Sequence, residues 1–99
     1  MCGRFSLTAS EQELYAQFHL ITMPTWAPRY NIAPTQEVLV VRQTPEGLRA
    51  ESMRWGLALH ITATPTRPVV HINARAETAA IKPTFREAFR TRRGLILMA

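Results

Sequence analysis

Glu37-Val38-Leu39-Val40-Val41-Arg42-Gln43 is a β-branched run, Pro45-Glu46-Gly47 is turn chemistry, and Leu48 to Leu57 resumes an extended pattern. Two strand-like runs joined by so short a turn read most simply as an antiparallel hairpin. On its N-terminal side, residues 22–36 carry Pro24, Pro28 and Pro34, and predict an ordered irregular loop or a set of short extended pieces. Before that, Thr8-Ala9-Ser10-Glu11-Gln12-Glu13 offers two overlapping capping boxes, Thr8 with Glu11 and Ser10 with Glu13. Leu14, Tyr15, Phe18 and Ile21 follow at helical spacing, so a helix is expected over about residues 10–20, ending before Pro24. On the C-terminal side, residues 58–68 read as a loop of Thr, Pro and Ala, and residues 68–74 as a short strand. Alternation in that strand puts Val69, His71 and Asn73 on one face and Val70 and Ile72 on the other. Pro83 opens a second helix with Phe85, Ala88 and Phe89 on one stripe, and Gly94 stops it. Leu95-Ile96-Leu97-Met98 then begins a strand. The pattern is α+β: antiparallel strands with about two helices.

With 99 residues the chain has room for one small domain. A hydrophobic fraction of 46% and a charged fraction of 19% argue against disorder or coiled coil as the main account. No apolar run approaches the roughly 20 residues of a membrane span, and Met1-Cys2-Gly3-Arg4 is not a signal peptide, so a cytoplasmic protein with no membrane partner is expected. The apolar strand at Leu95 reads as the start of something larger, an exposed or poorly supported edge that favours self-association.

Charge points towards a class of partner. Of twelve basic residues all but Lys82 are arginine, against seven glutamates and no aspartate, for a net charge of +5. Arginine's planar fork suits phosphate and base recognition, and a small basic domain fits nucleic acid. An arginine-rich composition arising from a GC-rich genome explains the same numbers. One cysteine excludes an internal disulfide, and three scattered histidines without a CxxC make a zinc site improbable; no metal or organic cofactor is expected.

Cys2 is the most informative position. An initiator methionine followed by a small residue is commonly trimmed, which would leave the α-amine and thiol together on Cys2 as a 1,2-aminothiol. N-terminal amines titrate near roughly 7.7–8.0 and thiols near roughly 8.5, so such a pair holds a nucleophilic amine at neutral pH. An aldehyde would form a Schiff base with the amine, and the thiolate would close onto the imine carbon as a five-membered thiazolidine. Taken alone, a second-position cysteine is more often just a small residue compatible with processing.

Four motifs bear on that choice. Met1-Cys2-Gly3-Arg4-Phe5, Arg29-Tyr30-Asn31-Ile32-Ala33-Pro34-Thr35, Met53-Arg54-Trp55-Gly56-Leu57 and Ile72-Asn73-Ala74-Arg75-Ala76-Glu77-Thr78 occur in that order over essentially the whole chain. In this the sequence resembles the SRAP family (SOS-response-associated peptidase fold), which includes the abasic-site processing proteins. The resemblance implies that these residues are the N-terminal half of a single SRAP domain. It implies recognition of abasic sites in single-stranded DNA, in the response to DNA damage, and covalent capture of the ring-opened sugar by Cys2 as a thiazolidine. It further implies that Asn73 lies beside the cysteine and orients the sugar. Arg4 sits next to the cysteine, and together with Arg75 it would hold backbone phosphate. Pro34 belongs to a segment that packs against the bases flanking the lesion. The peptidase label fits removal of the leading methionine rather than general proteolysis.

The sequence also departs from the family. A glutamate in an Ala-Asp-Gly-Phe-Tyr-Glu-Trp-like segment and a later histidine are acid–base groups of the family that these 99 residues do not include. Capture without them is expected to be slower by roughly the 10²–10⁴-fold typical of general acid–base assistance. After Trp55-Gly56-Leu57, Ala58-Leu59-His60 stand where the family shows a proline and a tryptophan. Trp55 itself reads as core rather than a DNA platform, and His71 as an ordinary half-exposed histidine. Two alternatives of other classes remain at this point: a non-covalent single-stranded DNA-binding module, and an N-terminal-nucleophile cysteine hydrolase. The second needs an oxyanion hole for which the sequence gives no sign.

Overall fold

A computed structural model describes residues 2–59 and 69–99. In chain order the elements are β1 (Phe5–Leu7), α1 (Glu11–Phe18), β2 (Arg29–Ile32), β3 (Glu37–Thr44), β4 (Gly47–Arg54), β5 (Leu57–Leu59), β6 (Val69–His71), α2 (Arg86–Thr91) and β7 (Leu95–Ile96). Among the described residues the named strands pair antiparallel, β1 with β2, β3 between β4 and β7, and β5 with β6, and a single parallel bridge joins Thr22 to Arg49. The α+β expectation holds.

The β3–β4 hairpin is the frame of the fold. Its register runs unbroken from Glu37 opposite Arg54 to Thr44 opposite Gly47, so only Pro45 and Glu46 form the loop. Gly47 closes that loop at φ +138°, a conformation that side chains with a Cβ rarely adopt. Val38, Leu39, Val40 and Val41 are buried in succession, so β3 is covered on both faces and its sequence is continuous rather than alternating. Leu39 joins Leu7, Ile32 and Val38 as the most fully buried side chains, with Leu14, Leu20, Ala50, Trp55 and Leu97 completing the cluster.

The helices are shorter than the sequence predicts. Of the two capping boxes the fold uses the second: the Glu13 amide donates to Ser10 Oγ at 3.2 Å. The helix stops not because of Pro24 but because His19 turns left-handed at φ 53°, its amide donating to the Tyr15 carbonyl. Ser10→Ala is therefore expected to lower stability by about 1 kcal/mol, while Thr8→Ala leaves it nearly unchanged, as read by urea denaturation. The second helix begins at Arg86 rather than Pro83, because residues 75–85 are wound into separate turns that start when the Thr78 and Ala79 amides donate to the Arg75 carbonyl.

Two strand expectations and one loop expectation are corrected. The run from Leu48 to Leu57 is not one strand: Gly56, at φ +144°, breaks it into β4 and β5, and a Cβ there would collide with Val70 on β6. The strand expected over residues 68–74 ends at His71, with Pro68 outside the described residues, so the alternation placing Asn73 on a strand face with Val69 and His71 does not extend to Asn73. Of the loop expected over residues 58–68, Ala58 and Leu59 belong instead to β5, and residues 60–68 lie outside the described residues. Among the described residues β7 pairs with β3 alone, with Leu95 63% and Ile96 43% exposed. Past it, Leu97 is buried and the Ala99 amide donates to the Ser6 carbonyl, drawing this segment against β1.

Candidate functional site

β1 and β2 build one side of the site. Phe5 pairs with Ile32 and Leu7 with Arg29, across a bulge. Ile32 is fully buried, which anchors the pair to the core and sends Cys2-Gly3-Arg4 out from the start of β1 onto the surface. Cys2 is exposed, with a free thiol. Arg4 Nη1 donates to Asn31 Oδ1 at 3.0 Å, so β2 holds the arginine beside the cysteine.

The segment after β6 supplies the other side. Asn73 Nδ2 donates to the Cys2 carbonyl at 2.8 Å, closing a gap of 71 positions in the chain. The carbonyl of the preceding residue, Ile72, accepts from Trp55 Nε1 at 2.8 Å. Trp55 is 7% exposed and packs against Phe5, with ring centroids 5.4 Å apart. It is therefore a core residue, as the sequence suggests. His71 is half-buried and sets its ring edge-on to Phe85 at 5.5 Å.

Pro34 lies half-buried in the loop between β2 and β3. That loop is pinned by Arg29, which donates to the Glu37 carbonyl and Gln36 Oε1, and by Thr35 and Gln36, which exchange backbone hydrogen bonds with Trp55. Thr35 sits at φ 71°, an outlying conformation for a β-branched residue. Arg75 is exposed, and its side chain has no hydrogen-bond partner among the described residues.

Of the residues singled out by sequence, the structure brings Cys2 and Asn73 into contact and ties Arg4 to their rim. Arg75 and Pro34 are joined to Cys2 by no hydrogen bond among the described residues. Asn31 is the residue that sequence reasoning passed over. It stood in a motif, but nothing in a linear reading pairs it with Arg4, 27 positions away. Tyr30, next to it, is 78% exposed and leaves an aromatic face open to solvent.

Among the described residues there are only two ion pairs, Arg42 with Glu51 and Arg90 with Glu87, so most arginine charge is not neutralised by carboxylates. Grooves of about 690 and 660 Å³ flank α2, and the described residues that line them do not include Cys2, Arg4 or Asn73. Cys2, Gly3 and Arg4 are all exposed at the surface. No group of three or more metal-ligating side chains occurs among the described residues, and none of their helices is long and apolar enough to cross a membrane.

Comparison with known proteins places this geometry in context. The abasic site processing protein YobE of Bacillus subtilis is 33% identical over 99 residues, covering 97% of this chain and 45% of its own. YoaM of the same organism, also named an abasic site processing protein, is 33% identical over 97% of this chain and 44% of its own. The abasic site processing protein YedK of Escherichia coli is 33% identical over 92 residues, or 87% of this chain and 40% of its own. The chain spans somewhat less than half the length of these curated relatives. The family model for SOS response associated peptidase (SRAP) matches residues 1–99, and the chain belongs to that family.

Proposed function

We propose that this chain takes part in abasic site processing, binding single-stranded DNA and capturing the ring-opened abasic sugar covalently through Cys2. The observation that carries this reading is the 2.8 Å hydrogen bond from Asn73 to the Cys2 carbonyl, which joins the two most distant motifs of the chain on an exposed surface.

The chemistry follows from the aminothiol. Once Met1 is removed, the Cys2 amine attacks the sugar aldehyde, and loss of one water gives the imine. The thiolate adds to the imine carbon, the ring nitrogen takes a proton, and a thiazolidine results. No oxidant, metal or organic cofactor enters the balance. Asn73 grips the Cys2 carbonyl, leaving amine and thiol to face the sugar in one orientation, and removing such freedom lowers the barrier to ring closure. Arg4, held by Asn31, and the exposed Arg75 neutralise phosphates, so binding weakens as salt rises. Pro34 and its loop face the flanking bases.

Asn73→Ala is expected to slow capture on the order of 10-fold, the upper range of one net hydrogen bond, while leaving affinity for intact single-stranded DNA unchanged. Single-turnover gels with abasic oligonucleotides, beside anisotropy titrations with intact ones, separate the two effects. Equal loss of both would mean that Asn73 only supports the fold.

A further inference from the structure

We propose that Trp55 is a positioning residue for the Cys2–Asn73 pair, acting through the carbonyl of Ile72; the proposal rests on the capture reading above. Trp55 touches all three segments that build the site. Its ring packs on Phe5, three residues from Cys2, at a centroid distance of 5.4 Å and an interplanar angle of 52°. Its backbone amide donates to the Gln36 carbonyl and its carbonyl accepts from the Thr35 amide, both at 2.9 Å, which ties down the loop holding Pro34. Its indole Nε1 donates to the Ile72 carbonyl at 2.8 Å.

The third contact is the one that bears on Asn73. β6 ends at His71, so Ile72 and Asn73 lie beyond the strand ladder that would otherwise fix their direction. Ile72 is 39% exposed while Trp55 is 7% exposed, so the bond reaches from a buried indole to backbone near the surface. It satisfies the indole N–H and at the same time fixes the direction of that backbone. It sets the backbone from which Asn73 reaches the Cys2 carbonyl, while the same ring, through Phe5, sets the backbone that carries Cys2. One rigid side chain thus registers both partners of a bond that spans 71 positions. At 7% exposure Trp55 presents little surface, and its influence passes through its neighbours.

Trp55→Phe tests this, because phenylalanine keeps an aromatic ring against Phe5 but has no N–H. In the Met-free 99-residue protein, well below its thermal transition, the Asn73 side-chain amide protons are followed by NMR, and capture is followed with saturating abasic oligonucleotide. The expected result is that the Asn73 amide signals move towards those of a free amide and exchange faster. Capture should slow roughly 2- to 10-fold, as for loss of one oriented hydrogen bond, with intact-DNA affinity unchanged. Unmoved Asn73 signals overturn the proposal, as does a shift of those signals without slower capture. A parallel fall in capture, intact-DNA binding and folded signal also overturns it, since that is the mark of a purely structural residue. If the wild-type protein captures nothing, the capture reading fails. The NMR comparison then decides by itself whether Trp55 positions Asn73.

Discussion

Cys2→Ala is expected to abolish the heat-resistant adduct with abasic single-stranded DNA that the Met-free protein forms. The reason is chemical. Alanine leaves an α-amine that can still condense with an aldehyde, but the imine it forms hydrolyses back, and no sulfur is present to close the ring. Cys2→Ser should behave in the same way on a denaturing gel, yet borohydride reduction should trap its imine as a secondary amine. Retaining Met1 should be as damaging as losing the thiol, because it moves the free amine off the cysteine and leaves only an amide nitrogen there. Affinity for intact DNA should survive all three changes, since Arg4 and Arg75 are untouched.

The second large effect is on stability. Ile32 has no exposed surface, pairs with Phe5 across the β1–β2 ladder and closes the core beneath the Cys2 arm. Ile32→Ala should destabilise the fold by about 2–5 kcal/mol, from lost apolar transfer and the cavity left behind, whereas Ile32→Val should cost about 0.5–1.5 kcal/mol. Against the roughly 5–15 kcal/mol that holds a small domain together, the alanine variant sits near the edge of unfolding. The midpoint of urea denaturation should fall accordingly at unchanged slope. A midpoint unmoved by Ile32→Ala would mean that β1 and β2 do not close the core as described.

What the sequence made legible and what it hid divide along physical lines. The β3–β4 hairpin was readable because β-branched runs and a Pro-Glu-Gly turn are local signals, and Ser10 with Glu13 is a local cap. The pairing of β1 with β2 was not. Phe5–Leu7 is three residues long, and its partner lies in a proline-rich stretch with no periodicity, so only the tertiary contact of Phe5 with Ile32 reveals either strand. Gly56 hid in plain view. Its positive φ splits what reads as one strand, and nothing in the letters distinguishes it from a tolerated glycine. At the site, Cys2 and Asn73 were legible through motif resemblance, and the structure brings them together by a bond that no local rule could foresee. Asn31 and Trp55 escaped because their parts depend on contacts distant in sequence, Asn31 with Arg4 and Trp55 with Phe5 and the Ile72 carbonyl.

The account stands most directly on intact mass spectrometry of the protein after incubation with an abasic single-stranded oligonucleotide. It predicts a protein without Met1, and a second species at the sum of protein and oligonucleotide less one water, surviving heat and mapping to the N-terminal cysteine. The same adduct in equal yield from Cys2→Ala, or one mapping elsewhere in the chain, would contradict it.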